Sequence, residues 1–395
     1  IGRTQAEKQV GALSLVLAAK AVGSISRRMS EGGEQGNRMA IAMGYDSINS
    51  MRAAHREAIG SGMASYRLLD IARACALGGL SKIGQFGSFR SDDEMLSAIP
   101  GHGQGDFPLL LSALANKVMQ AGYAEAVTTW QEWAAEGSVS DFKDANLLRM
   151  SEMGNLNLLR DGDNVKYGSF NERQESVGLA TYGRGFALSR KMIYNDDLGA
   201  FVEIPKLWGV AAQRVPETLA YGVLTANAAM SDGVALFHAT HNNLPSGAAL
   251  SMAALDGAAT VMRVQQGFGT DGTKANLFIE PKFLLVPTNL AGTARSLYES
   301  EKDPTSAEAN SSRPNIVRGL AKPISSPILY RASQSAWYLV GDPMQAPVVK
   351  VLFLNGQKTP TITQVGDGSI LNTKWEIIFD CAAKTVNHEG AVKGN

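Results

Sequence analysis

Between Leu147 and Met192 the chain reads as strands, with charged and small residues set among the apolar ones. No other feature constrains the fold as much. "LNLLRDGDNVKYGSF" carries a turn signal at Asp161–Gly162. "ESVGLATYGRGFAL" alternates, with four aromatic or β-branched residues among small ones. The pattern predicts a long β-hairpin loaded with charge of both signs at Arg160, Lys166, Glu172, Arg173 and Glu175. A two-stranded arm without a core of its own is marginally stable in water. It must be held by something outside its own domain, so these five charged residues are candidates for contacts between subunits.

Helical patterns flank the arm. "GDFPLLLSALANKVMQAGY" predicts a helix with Asp106 as its cap, Pro108 in the first turn and Gly122 as its stop. Leu110, Leu111, Leu114 and Val118 form its apolar stripe. "TTWQEWAAEG" predicts a second helix, with a capping box at Thr129 and Glu132 and a stop at Gly137. "NDDLGAFVEIPKLWGVAAQRVPETLAYGVLTAN" is the longest helical pattern. An interior proline costs a helix about 3 kcal/mol, so breaks or kinks are expected near Pro205 and Pro216. Residues 1–65 read as helical with glycine-rich breaks, and 81–105 as a loop.

Beyond residue 230 helices and strands alternate. "SMAALDGAATVMRVQQG" reads as a helix, "NLFIEPKFLLVP" as a buried strand, and "TNLAGTARSLYES" as a helix capped by Thr288. Residues 336–364 read as strand, turn, strand, turn, strand, and "TKWEIIFDCAAKTVNHEG" as a long final strand. The class is α+β.

A chain of 395 residues can bury two or three cores. Lys+Arg and Asp+Glu balance at 37 each, which argues against a protein built to grip nucleic acid or an anionic membrane. It does not exclude one that surrounds nucleic acid. Cys75 and Cys381 form no metal-binding spacing, so a reducing cytoplasm is expected. "GALSLVLAAKAVGS" falls short of the ~20 apolar residues of a membrane helix. Lys20 within it and the absence of a leading Met count against a secretory signal. The start at Ile1 suggests a trimmed N-terminus.

"LFHATHNNLPSG" holds His238 and His241, a spacing that shares one face of a helix. The Asn-Asn, Pro and Gly that follow make it a strand running into a loop. The remaining histidines, His55, His102 and His388, are remote in sequence, and no HExxH occurs. Zinc needs a full ligand set, so the pair is expected to make hydrogen bonds in a loop, with no metal. Asp196–Asp197 reads as an acidic helix cap before it reads as a catalytic pair. "GFGTDG" and "YGRGF" lack phosphate-loop spacing, and Ser246 lacks a nucleophile elbow. The five tryptophans are scattered, as core residues are. No catalytic residue, metal or cofactor is expected.

Several stretches nevertheless carry a resemblance: "DFPLLLSALANKVMQAGY", "TYGRGFALSRKMIYNDDLGAFVEIPKLWGVAAQRV", "DGVALFHATHNNL", "EPKFLLVPTNLAGTA", "WYLVGDPMQAPVVKVLFLNGQKTP" and "IIFDCAAKTVNHEGAVKGN". Together, over roughly 66–395 in colinear order, they resemble tailed-bacteriophage major capsid proteins, a family often fused to or encoded beside a prohead protease. The resemblance implies the tailed-phage capsid fold: an N-terminal arm, an extended β-hairpin loop, a peripheral domain with a long spine helix and β-sheet, and an axial α/β domain. Carried onto this chain, it implies an N-terminal extension and arm over 1–103 and a helical arm opening the peripheral domain over 104–149. The extended loop would be 150–187, the peripheral domain with its spine helix 188–230, and the axial domain 231–340. Strands of 341–375 would return to the peripheral sheet, and 376–395 would end at the axial domain. Protease trimming would account for the start at Ile1.

It further implies a homo-oligomer of hexamers and pentamers that encloses double-stranded DNA, with portal, protease and decoration proteins as partners and no membrane. Localisation would be the virion, after assembly in the host cytoplasm. Some shells of this fold join subunits by Lys–Asn isopeptide bonds, and Lys166 and Asn355 are of the right types. An encapsulin-like compartment with a cargo enzyme is the alternative, and a metal-dependent hydrolase using His238 and His241 is a third reading.

Overall fold

The computed structural model describes residues 106–151, 158, 171–187, 198–245, 247–268, 274–304, 313–365 and 374–395. In chain order the elements are α1 (Asp106–Glu125), α2 (Trp130–Trp133), β1 (Ala135–Val139), β2 (Ala145–Met150), β3 (Glu172–Val177), β4 (Ala180–Ala187) and α3 (Leu198–Ala226). A 3-10 turn at Ala239–His241 is followed by α4 (Met252–Arg263), β5 (Pro281–Pro287), a 3-10 turn at Thr288–Leu290, α5 (Ala291–Glu299), β6 (Lys322–Ser326) and α6 (Pro327–Ala332). Then come β7 (Trp337–Gly341), β8 (Val349–Leu354), β9 (Thr361–Val365), β10 (Lys374–Thr385) and β11 (Ala391–Gly394). These elements sort into two compact units that interleave along the chain. Of the described residues, those within 106–127, 181–214 and 358–380 form the first, and those within 128–180, 215–357 and 381–395 form the second.

In the first unit α1 and the opening turns of α3 approach backbone to backbone. A Cβ on Gly122 would lie 2.3 Å from the Lys206 carbonyl oxygen, and one on Gly209 would lie 2.1 Å from that of Met119. Gly122 is therefore not the helix stop that the sequence suggests. It is the place where another helix comes too close for any side chain, and α1 runs on to Glu125. An ion pair of 2.8 Å between Lys206 and Glu125 sits beside the contact. Next to the helices, β9 and β4 both pair with β10. Phe186 stacks on Trp375 at 5.2 Å and meets Trp208 edge-on at 5.1 Å.

Helix α3 is continuous over 29 residues, through both Pro205 and Pro216, so the breaks expected there do not occur. Each proline removes one backbone hydrogen bond, and its ring presses on the carbonyl four residues back. Burial of Trp208, Ala212, Ala220, Tyr221 and Leu224 along the helix offsets that loss.

The second unit is built on a four-stranded sheet of order β11-β7-β5-β6, with β5 and β6 parallel and the other neighbours antiparallel. Strands β5 and β7 are buried on both faces, which is why they read as unbroken apolar runs instead of alternating. Met252, Leu255 and Met262 of α4 share one core with Leu284, Leu297, Trp337 and Val392. Ser251 caps α4 by accepting from the Ala254 amide at 3.2 Å. At the start of α5 the expected cap is not made: Thr288 opens a 3-10 turn, and no side chain caps it.

The helix read at 129–137 is a single turn. Its box does not form, because Thr129 makes no side-chain cap bond. A residue from α3 takes over: the Glu217 carboxylate accepts from the Thr129 and Trp130 amides, both at 3.0 Å, and from the Thr129 hydroxyl at 2.7 Å. Glu132 instead pairs with Lys322. The chain then extends into β1, which runs parallel to β8, and β8 pairs antiparallel with Cys381–Thr385 of β10. "ESVGLATYGRGFAL" is broken at Gly178–Leu179, between β3 and β4. All five tryptophans are buried.

Candidate functional site

The base of the hairpin is antiparallel β2–β3, in a register that sets Leu147 opposite Glu175 and Arg149 opposite Arg173. Like charges directly across a ladder are unfavourable, so something must answer the two arginines. Both guanidinium groups lie over the ring of Phe268, at 5.1 and 4.6 Å from its centroid. Arg149 also donates to Glu389 at 2.6 Å, where the glutamate side chain is almost fully buried. Glu175 is buried too, and accepts from the Ser231 amide at 2.8 Å. The other face of the same strands is open: Leu148 and Met150 are 64% and 58% exposed, and Glu172 and Gln174 are also exposed.

Beside this base lies a second group. Asp232, in the loop after α3, accepts from the Val234 amide at 3.0 Å, while its other oxygen lies 3.0 Å from Nε2 of His241. Burial alone would raise the Asp232 carboxyl, but the bonds from Val234 and His241 outweigh it and hold the group below its ordinary value. His241 Nδ1 donates to the Leu236 carbonyl at 3.0 Å. The His241 ring stacks on that of His388, with centroids 3.9 Å apart and planes within 15°. Burial pushes His388 down to about 4, against the attraction of Glu389.

Fully buried Asn243 ties these segments together. Its side-chain amide donates to the carbonyls of Leu236 and His388 at 2.8 and 3.2 Å, and its Oδ1 accepts from the His238 amide. Asn242 reaches the left-handed region, at φ 49°, to end the 3-10 turn, as asparagine can.

The structure thus divides the His238–His241 pair. His238 is exposed, and its Nδ1 accepts from the Thr240 amide as a local cap. His241 turns inward and meets two groups that sequence reasoning did not join to it, Asp232 and His388. The expectation that no further ligand stands near His241 is corrected: one donor atom from each of Asp232, His241 and His388 lies within 4.8 Å of the others. A clue was present in "NHEG", a polar run between two apolar strands, which must satisfy its groups inside the protein if those strands are buried.

Of the five charged hairpin residues, Arg173 and Glu175 belong to this intrachain cluster and Glu172 faces solvent. Arg160, Lys166 and the Asp161–Gly162 turn lie outside the described residues, as do Asp196–Asp197 and Ser246. Asn355 is exposed in the turn after β8, at φ 50°. Its expected crosslink partner, Lys166, lies outside the described residues.

The family described as phage capsid protein matches residues 173–394, more than half of the chain, and the chain belongs to that family. No curated protein matches it. Among solved structures, the virus-like particle from Pyrococcus furiosus is 11% identical over 70% of this chain and 96% of its own, with a TM-score of 0.41. The mature capsid of bacteriophage PhiM1 is 11% identical over 68% and 87%, at a TM-score of 0.43. The capsid of Ralstonia phage GP4 is 12% identical over 68% and 90%, at 0.47. The protein is a structural capsid protein of the virion, and the family match carries that assignment.

Proposed function

We propose that this chain is the major subunit of an icosahedral phage head, assembled as hexamers and pentamers around double-stranded DNA, and that its work is structural and not catalytic. The family match over 173–394 is the observation that carries this reading. The hairpin supports it. One face of its base is bound to its own chain through Arg149, Arg173 and Glu175, and the other leaves Leu148 and Met150 exposed. An apolar strip on an arm whose root is fixed suits a surface covered by neighbouring copies. Arg160, Lys166 and Glu172 remain candidates for contacts between subunits. The balanced charge of 37 cationic and 37 anionic residues suits a wall that surrounds DNA without gripping it. Assembly in the host cytoplasm, with portal, protease and decoration proteins as partners, belongs to the same proposal.

The test is electron microscopy of the purified chain, beside gel filtration. Closed shells are expected, and shells that form only with Leu148 and Met150 intact would tie assembly to the open face. A chain that stays in small discrete oligomers under every assembly condition would count against a shell subunit.

A further inference from the structure

We propose that Asp232, His241 and His388 form a binding site for one divalent transition-metal ion of the zinc type, which pins the loop after α3 and the β10–β11 link together. The inference stands apart from shell assembly and concerns the folded subunit alone. The donor set is two imidazoles and one carboxylate, a set that suits zinc, with a fourth position for water. Two donors on one tetrahedral ion, each at about 2.0–2.2 Å, lie roughly 3–3.5 Å apart. The Asp232–His241 separation of 3.0 Å is close to that spacing, and the trio falls within 4.8 Å.

The orientation of His241 is what a ligand needs. Its Nδ1 hydrogen goes to the Leu236 carbonyl, itself held by buried Asn243, so the ring cannot turn freely. A metal-binding histidine typically shows this bond to a carbonyl, because it fixes the tautomer and aims the other nitrogen. That nitrogen faces a carboxylate, an arrangement completed by either a proton or a cation. Asp232 provides the way in, since its side chain is 30% exposed while that of His241 is 4% exposed.

Two features set the limits of the site. The stacked rings aim their in-plane lone pairs side by side, so binding requires the His388 ring to rotate out of its 15° stack. The Arg173 guanidinium lines the same groove as Asp232, His241 and His388, and it opposes any cation there. Removing that charge should tighten binding.

The experiment uses the full chain, purified without a histidine tag, stripped with chelator and titrated with Co(II), followed by competition with Zn(II). The wild type should bind one equivalent per chain and develop the visible absorption of four-coordinate cobalt. Asp232→Asn and His388→Asn should each weaken binding by about tenfold or more. His238→Ala should bind like the wild type, and Arg173→Gln more tightly. Asp232 is partly exposed, so its variant stays informative if the buried His388 variant does not fold. Absence of saturable binding, equal binding by wild type and Asp232→Asn, or loss on His238→Ala would each overturn the proposal.

Discussion

Replacing Gly209 by Ala sets two effects against each other within one helix. Helix propensity favours the change by about 1 kcal/mol, since glycine in a helix interior loses more backbone freedom than alanine. The surroundings oppose it. The new Cβ would lie 2.1 Å from the Met119 carbonyl oxygen and 2.6 Å from the Tyr123 nitrogen. Both are backbone atoms of α1, so no side chain can swing aside. Ordinary carbon contacts sit at about 3.5–4.0 Å, so α1 and α3 must part by more than an ångström. Overpacking of this kind costs about 1–3 kcal/mol, and backbone against backbone belongs at the upper end. The net expectation is a loss of about 1–2 kcal/mol. Gly222, in the same helix, has nothing within 4 Å of its would-be Cβ. Gly222→Ala should therefore stabilise by about 0.5–1 kcal/mol. Equilibrium urea unfolding of dissociated subunits, followed by circular dichroism, measures both. Gly209→Ala as stable as the wild type, or Gly222→Ala the more damaging of the two, would refute the reasoning.

Three further expectations follow from the same geometry. Arg149→Met leaves Glu389 buried without its cation and should cost about 3–5 kcal/mol, whereas Arg149→Met with Glu389→Gln should recover part of the loss in the same unfolding assay. Tyr338 is raised by burial from 10.0 to about 12, so its contribution is complete below pH 10 and is lost as pH rises towards 12. The stability lost over that window, at most about 3 kcal/mol, should be smaller in Tyr338→Phe when urea midpoints are compared across pH. Replacing residues 157–170 by a short Gly-Ser linker should leave a folded subunit that fails to close shells. Extending the replacement to 175 removes Arg173 and Glu175 and should also lower the melting temperature; equal melting temperatures for the two deletions would contradict the anchoring described for β3.

Much of the fold can be read from periodicity. The helix α4 and the apolar run of β5 follow from local patterns, because burying one face of a regular element imposes a repeat along the chain. Local signals misled where a distant segment supplied the partner. Gly122 looks like a stop and is a point of close approach to Lys206. Thr129 and Glu132 look like a capping box, yet Glu217 performs the capping. Pro205 and Pro216 look like breaks, and α3 runs through both.

The candidate site shows the same division. The sequence by itself determined an α+β chain of balanced charge, a charged two-stranded segment around an Asp-Gly turn signal, and a histidine pair at 238 and 241. The tertiary structure alone decided that His238 faces solvent while His241 meets Asp232 and His388, and that Arg173 and Glu175 are bound within their own chain. The physical reason is that a repeat encodes which face of an element is buried, a property of neighbours along the chain. Which groups meet across that buried face depends on how the chain returns, and Asn243 meets the His388 carbonyl across 145 positions.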